Sequence, residues 1–255
     1  MHKYSVLMYN FNNYEIMREP IEVDPDCEYI YVTDNPTLKN DTNVWKVVVD
    51  SDLDGLSVFD KCYRVRFNLF KYATCPTCIY VDGSIQIYKS LRKLYDDFIK
   101  SDCDLGVMVH PECDNVYDEY HRWLQLRNYP YTNLQKALCM FKAAGWNPKE
   151  KGLYQGCLRI CRNTELNNSI DSCTLDTLIE LGTENTIERL DQTIYTFIIH
   201  SLFNDINIFG FSQQVIQSNY MKWCKHNSRI SLPYCNGNDK LNGFILGKEQ
   251  LLYRI

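Results

Sequence analysis

An α/β architecture, a mostly parallel sheet covered by helices, is the fold class this sequence predicts, on three observations. Short apolar, β-branched or aromatic stretches in the first half alternate with segments whose apolar residues recur every three or four positions. Polar turn residues bound each stretch, which is how strands joined by crossover helices read. At 255 residues, 45% apolar and 23% charged, the chain can bury one sizeable core, and no repeat, low-complexity tract or linker divides it. One domain over 1–255 is therefore expected, with a loop-rich C-terminal segment from about 210 to 255.

Five strands are expected first, at Ser5 to Tyr9, Tyr29 to Thr33, Trp45 to Val49, Cys78 to Val81 and Leu105 to Val109. Between the third and fourth, Ser57 stands three residues before Asp60 as in a capping box, and a helix to about Ala73 should follow. Leu91, Leu94, Tyr95 and Phe98 mark an amphipathic helix that closes a βαβ unit. Helices are expected at Asp114 to Leu126 and at Thr132 to Ala144, the second with Thr132 and Gln135 in capping-box spacing. A strand over Gly152 to Cys161, helices around Leu175 to Leu181 and Thr186 to Phe203, and a strand at Ile206 to Phe209 complete the reading.

Charge and composition exclude several classes. Lys and Arg total 27 against 32 Asp and Glu, a formal charge of -5, so the basic footprint of a nucleic-acid binder is missing. The longest uninterrupted apolar run is Ala137 to Phe141, whereas a membrane span needs about 20 such residues. Met1-His2-Lys3-Tyr4 leads directly into a strand-like stretch without the features of a secretory leader, so a cytoplasmic protein is expected, free or peripheral at the inner membrane face. The 12 cysteines are irregularly spaced and read as reduced, mostly buried thiols. Cys75-Pro76-Thr77-Cys78 has the form of a redox pair, but a strand rather than a helix follows it. Cys157 and Cys161 lack the second pair that zinc requires.

In open α/β sheets ligands collect outside the carboxyl ends of the strands, so acids that end strands are the first candidates. Asp34 ends the second strand, and Asp82 ends the fourth, immediately before Gly83 and Ser84. An isolated strand-end carboxylate can hold a hard divalent cation that shares a substrate phosphate. The alternative for Asp82 is a turn residue that bonds its own backbone.

Val81-Asp82-Gly83-Ser84-Ile85 resembles the hydrophobic-Asp-Gly-Asn/Ser-Ile segment of glycosyltransferase-like proteins with the GT-A nucleotide-sugar fold, a group that includes plant mucilage-related proteins and bacterial surface-polysaccharide enzymes. Further segments resemble that group in its order along the chain, over roughly residues 5 to 200. Tyr9-Asn10-Phe11-Asn12-Asn13-Tyr14-Glu15 is similar to its first strand and loop, with Asn12 in place of a glycine and Glu15 in place of Asp. Tyr29 to Asn35 resembles its aromatic Thr-Asp strand end, and Arg64-Val65-Arg66-Phe67 with Lys71-Tyr72 its basic helix, where Phe70 replaces a histidine. His110-Pro111 with Val116-Tyr117-Asp118-Glu119 resembles its His-Pro and Tyr-x-Glu pair, and Glu188 to Gln192 its Arg-Asp-Gln with Leu190 inserted.

This resemblance implies a GT-A-like fold and a glycosyltransferase that moves a sugar from a nucleotide-sugar donor to a glycan or lipid-linked acceptor in polysaccharide biosynthesis. It implies that Tyr9, Asn10, Tyr14, Thr33, Asp34, Arg66 and Lys71 hold the nucleotide. Asp82, with Ser84 and a late ligand such as His226, would hold a divalent cation, manganese or magnesium. Ser84 stands where a second acid is usual, so the diphosphate or water must complete that site. Asp191 is the expected general base or sugar-orienting acid, its alternative being a solvated helix charge near Arg189. His110, Asp118, Glu119 and Gln192 are the expected sugar contacts, with a solvated helix face as the alternative for Asp118 and Glu119. Two other readings stand beside this one: a non-catalytic sugar- or nucleotide-binding module of the same fold, and an interaction protein that uses a Tyr-rich surface.

Overall fold

The computed structural model describes residues 2–127, 132–182 and 190–224. Among them are nine strands: β1 (Tyr4–Asn10), β2 (Cys27–Thr33), β3 (Lys46–Val48), β4 (Thr77–Val81), β5 (Ile85–Ile87), β6 (Leu105–Val109), β7 (Tyr154–Arg162), β8 (Ile208–Ser212) and β9 (Met221–Trp223). Seven α-helices accompany them: α1 (Val58–Arg66), α2 (Arg92–Ser101), α3 (Val116–Arg127), α4 (Thr132–Ala143), α5 (Glu165–Leu181), α6 (Asp191–Leu202) and α7 (Gln213–Asn219). Seven strands form one sheet in the order β3-β2-β1-β4-β7-β6-β8, and β5 pairs with β9 in a small second sheet. In the large sheet β1 runs parallel to β2 and β4, β2 to β3, and β6 to β8, whereas β7 is antiparallel to both its neighbours. The chain is thus α/β with a mostly parallel central sheet.

β1 and β2 are buried throughout, as strands covered on both faces must be. Alternation sends Leu7 and Tyr9 of β1 into a core with Val65, Phe141, Ile170 and Ile198. Tyr4, Val6 and Met8 go to the opposite core with Leu94, Phe98, Ile216 and, from the small sheet, Ile85 and Met221. One core therefore lies on each face of the sheet.

The structure corrects several expected boundaries. The helix expected to reach Ala73 ends at Arg66, because the backbone leaves helical geometry at Asn68 (φ −152°, ψ 51°) before a short 3-10 turn over Leu69–Lys71. Its start holds, since the Ser57 side chain accepts the Asp60 N–H. The helix expected around Leu175 to Leu181 is the end of the longer α5, which opens at a Thr164 cap. Apolar spacing missed its first turns because buried Asn167 and Asp171 occupy inward positions there. The last expected strand shifts to Ile208–Ser212, and the supposedly loop-rich segment carries α7 and β9 as far as residue 223. α2 leads to β6, but β7 lies between β4 and β6, so the expected βαβ unit is not one of neighbours. Periodicity reports burial and is silent on strand direction. No helix among the described residues is long and apolar enough to cross a membrane.

Candidate functional site

The strand order runs outward in opposite directions from β1 and β4, the kind of switch point at which open α/β sheets bind ligands beyond the strands' carboxyl ends. Arg66, the last residue of α1, lies at that edge, against Tyr9 of β1 and Asp82 after β4. Its side chain is only 12% exposed and meets acids from two distant parts of the chain, Asp82 at 2.8 Å and Asp191. Its Nη2 also donates to the Tyr9 hydroxyl at 2.8 Å and the Tyr80 hydroxyl at 3.0 Å, and Tyr80 in turn donates to Asp82. Burial alone would lower the Arg66 pKa. The Tyr80 and Tyr9 oxygens and the Asp82 carboxylate offset that and raise it well above the ordinary guanidinium value. Both tyrosines are pushed up chiefly by burial, so they remain neutral donors and acceptors.

Asp82 follows β4 directly, and its carbonyl accepts the Ile85 N–H at 3.0 Å, closing the Asp82-Gly83-Ser84 turn. A Cβ on Gly83 would lie 2.6 Å from the Tyr9 carbonyl oxygen, so glycine is what lets this turn pass over the end of β1. Ser84 is buried, and its carbonyl accepts the N–H of Cys224 at 2.8 Å, just past β9. The small β5–β9 sheet thus ties residues 221–224 to the Asp82 turn. His226 lies outside the described residues, as do Glu188 and Arg189.

Asp191 stands in the first turn of α6 and is 8% exposed, with Arg66 as its partner. The alternative of a solvated helix charge does not hold for it. Next to it Gln192 donates to Glu119 of α3 and accepts the Gly156 N–H at 3.3 Å, while the Thr193 hydroxyl donates to Glu119 at 3.3 Å. Glu119 is 2% exposed, so it too is no surface acid. Asp118 differs: it is exposed and caps the start of α3 with Asn115. His110 follows β6, and its Nδ1 accepts the N–H groups of Glu112 and Cys113 at 3.2 and 3.0 Å. Burial, helped by the Arg122 charge, lowers its pKa to about 4.

The pairing of β6 with β7 steps from Val107 opposite Arg159 to Met108 opposite Gln155, leaving Gly156, Cys157 and Leu158 in a bulge without β6 partners. Bulges re-aim backbone beside functional sites. Here the bulge brings Gly156 against the charged cluster, where an added Cβ would stand 2.8 Å from Asp191 Oδ2 and 3.2 Å from Arg66 Nη1.

The residues expected to hold a nucleotide separate into three groups. Tyr9 and Arg66 belong to the cluster. Asn10 and Thr33 are buried and serve the loops: the Asn10 amide brackets the backbone of Glu15, and the Thr33 hydroxyl accepts the Asn35 N–H. Asp34 accepts from the Asn12 N–H at 2.9 Å and from Lys61 at 3.1 Å, and half-buried Tyr14 closes the β1 loop through its N–H to Phe11. Asn12 and Asn13 both have positive φ (55° and 52°), a conformation asparagine tolerates better than most residues. Lys71 stands apart from Arg66, paired with Asp50 and Asp52 at 2.7 Å each.

Four residues that bond to candidate site residues were missed in the sequence. Tyr80 was in reach, since it shares a strand face with Asp82 two residues on. Gly156 gave the usual sign of a bulge, a glycine inside a strand. Lys61 and Thr193 gave none. Among the described residues, every cysteine is a free thiol. No three His, Cys, Asp or Glu side chains among them converge as a metal cage. Asp82, at a strand end and held against one guanidinium, is the carboxylate there that a divalent cation could share with phosphate oxygens. Compared with known proteins, the chain matches no family model and no curated protein sequence.

Proposed function

We propose that the chain is a GT-A-type glycosyltransferase that moves a sugar from a nucleotide-sugar donor to a glycan or lipid-linked acceptor. The observation that carries this reading is the Arg66, Asp82 and Asp191 cluster at the sheet's switch point. Breaking a bond to a nucleoside diphosphate develops negative charge on the leaving group, which Arg66 and a cation shared with Asp82 would stabilise. Asp191, beside Gln192 and Glu119, supplies carboxylate and amide groups suited to orienting sugar hydroxyls or accepting a proton. The single reversed strand, and the small sheet that follows the Asp-Gly-Ser turn, are compatible with a GT-A assignment. The excess of acids over bases in the cluster disfavours a bare diphosphate, so a divalent cation, manganese or magnesium, should accompany the donor.

A second reading, a binding module without turnover, is favoured by Ser84. It is a serine where a second acid is usual, which leaves Asp82 as the motif's one carboxylate, and its side chain is buried. Incubating the purified chain with uridine, guanosine and cytidine diphosphate sugars, with and without manganese, separates the two. Transfer or donor hydrolysis that falls about 100-fold or more in Asp82→Asn supports the enzyme. Nucleotide affinity without turnover supports the module, and the absence of both turnover and affinity overturns both readings.

A further inference from the structure

Arg66 is the centre of the cluster, and it is committed to the two acids. One terminal nitrogen bonds Asp82 at the end of β4 and the other bonds Asp191 at the start of α6. A side chain so placed has at most about one N–H left for a phosphate, so it cannot grip one with a full fork while both acids hold it. We infer that Arg66 is a tethered stand-in for a divalent cation: it holds the two carboxylates together until cation and diphosphate arrive, and is displaced onto the diphosphate when they bind together.

The chemistry follows from what each group can accept. A hard dication takes carboxylate and phosphate oxygens, and with only one or two protein carboxylates it binds well when a phosphate completes its shell. A guanidinium binds carboxylate and phosphate with similar fork geometry, so it can pass from one to the other. The cation alone must compete with Arg66 for Asp82. The diphosphate alone must enter beside two acids whose one guanidinium is engaged. Together each removes the obstacle to the other, since the cation takes Asp82 and the diphosphate takes the released guanidinium, which frees Asp191. By linkage each ligand must then raise the other's affinity by the same factor.

Gly156 makes this arrangement separable from the charges themselves. Its missing Cβ leaves room for Arg66 and Asp191 to touch, since a methyl there would stand within 3.2 Å of both. Gly156→Ala should therefore loosen the Arg66 to Asp191 contact while keeping every acid and base. The positive φ that would forbid a side chain is absent at this glycine.

The inference rests on the cation-and-diphosphate part of the proposed function, and direct binding measurements test it apart from sugar transfer. Manganese binding, followed by loss of the free-ion paramagnetic signal, is measured alone and with inorganic pyrophosphate, corrected for the complex formed in protein-free buffer. In the wild type, each ligand should tighten the other about 10-fold or more. Arg66→Gln should bind manganese alone about 10-fold more tightly than the wild type and lose most of the coupling to pyrophosphate. Gly156→Ala should shift both quantities in the same direction by less, which keeps the test available if the Arg66 variant does not fold. Adding Asp82→Asn should abolish manganese binding in each background. Unchanged or weaker manganese affinity in both variants overturns the inference, as does absence of manganese binding in every form. Sugar transfer with unchanged manganese affinity would sink the stand-in role alone. Tighter manganese binding in Arg66→Gln without transfer from any sugar nucleotide would sink the enzyme reading alone.

Discussion

His110 carries a pH dependence that its two backbone partners dictate. Nδ1 must stay unprotonated to accept from Glu112 and Cys113, and burial with the Arg122 charge lowers its pKa from the ordinary 6.5 to about 4. Between those values the unfolded chain takes up a proton that the folded chain refuses. This contribution to stability is therefore complete above about pH 6.5 and declines as pH falls toward 4, by at most about 1.4 kcal/mol per pH unit. His110→Asn keeps an acceptor without the titration, so its melting temperature should fall less between pH 7 and pH 5 than that of the wild type. Parallel slopes would exclude the effect. At this scale the sequence was informative where a residue's place in a strand decided its environment: Asp82 and His110 were found because they follow strands. The partnership of Arg66 with Asp191 was not legible, because 125 residues separate them and helix spacing says nothing about contacts between helices.

The turn between β4 and β5 tests how an element is held. Gly83 is tolerated there because the turn crosses the Tyr9 carbonyl at the end of β1, and an alanine Cβ would approach that oxygen to 2.6 Å. The obstacle is backbone in a central strand, which cannot swing aside as a side chain can. Gly83→Ala should destabilise the protein by about 1 to 3 kcal/mol, as overpacking usually does, and shift the Asp82 carboxylate away from Tyr80 and Arg66. A denaturant midpoint equal to the wild type would show that the turn relaxes freely. Helix α1 shows the two ends of legibility within one element. Its start was readable because the Ser57 cap is local, whereas its end at Arg66 depends on buried Phe67 and Leu69, which have to pack elsewhere. β5 and β9 went unseen because each has three residues and gains meaning only from the other.

Arg159 joins the sheet, three helices and the site into one cooperative unit. It rises from β7 with 3% exposure, pairs with Asp171 of α5 at 2.5 and 2.9 Å, and donates to the Arg66 backbone carbonyl at the end of α1. The rings of Phe67 and of Tyr195 from α6 lie 4.9 and 5.1 Å from its guanidinium carbon. The overall α/β class was legible because alternating strands and helices are local patterns. This pair was not, since a buried Arg in a strand and a buried Asp in a helix both break the apolar spacing that a sequence reading follows. Burial raises the Asp171 pKa, and the Arg159 charge and hydrogen bond work against that rise. Removing one partner strands the other: Asp171→Asn should cost about 3 to 5 kcal/mol in denaturant unfolding, whereas Arg159→Met with Asp171→Leu should recover much of that loss by packing. The double variant still lacks the bond to the Arg66 carbonyl. It should therefore fold and yet show altered coupling between manganese and pyrophosphate, because the end of α1 is no longer fixed. A double variant with wild-type stability and wild-type coupling would show that Arg159 serves the core alone, and one as unstable as Asp171→Asn would show that the pair cannot be replaced by packing.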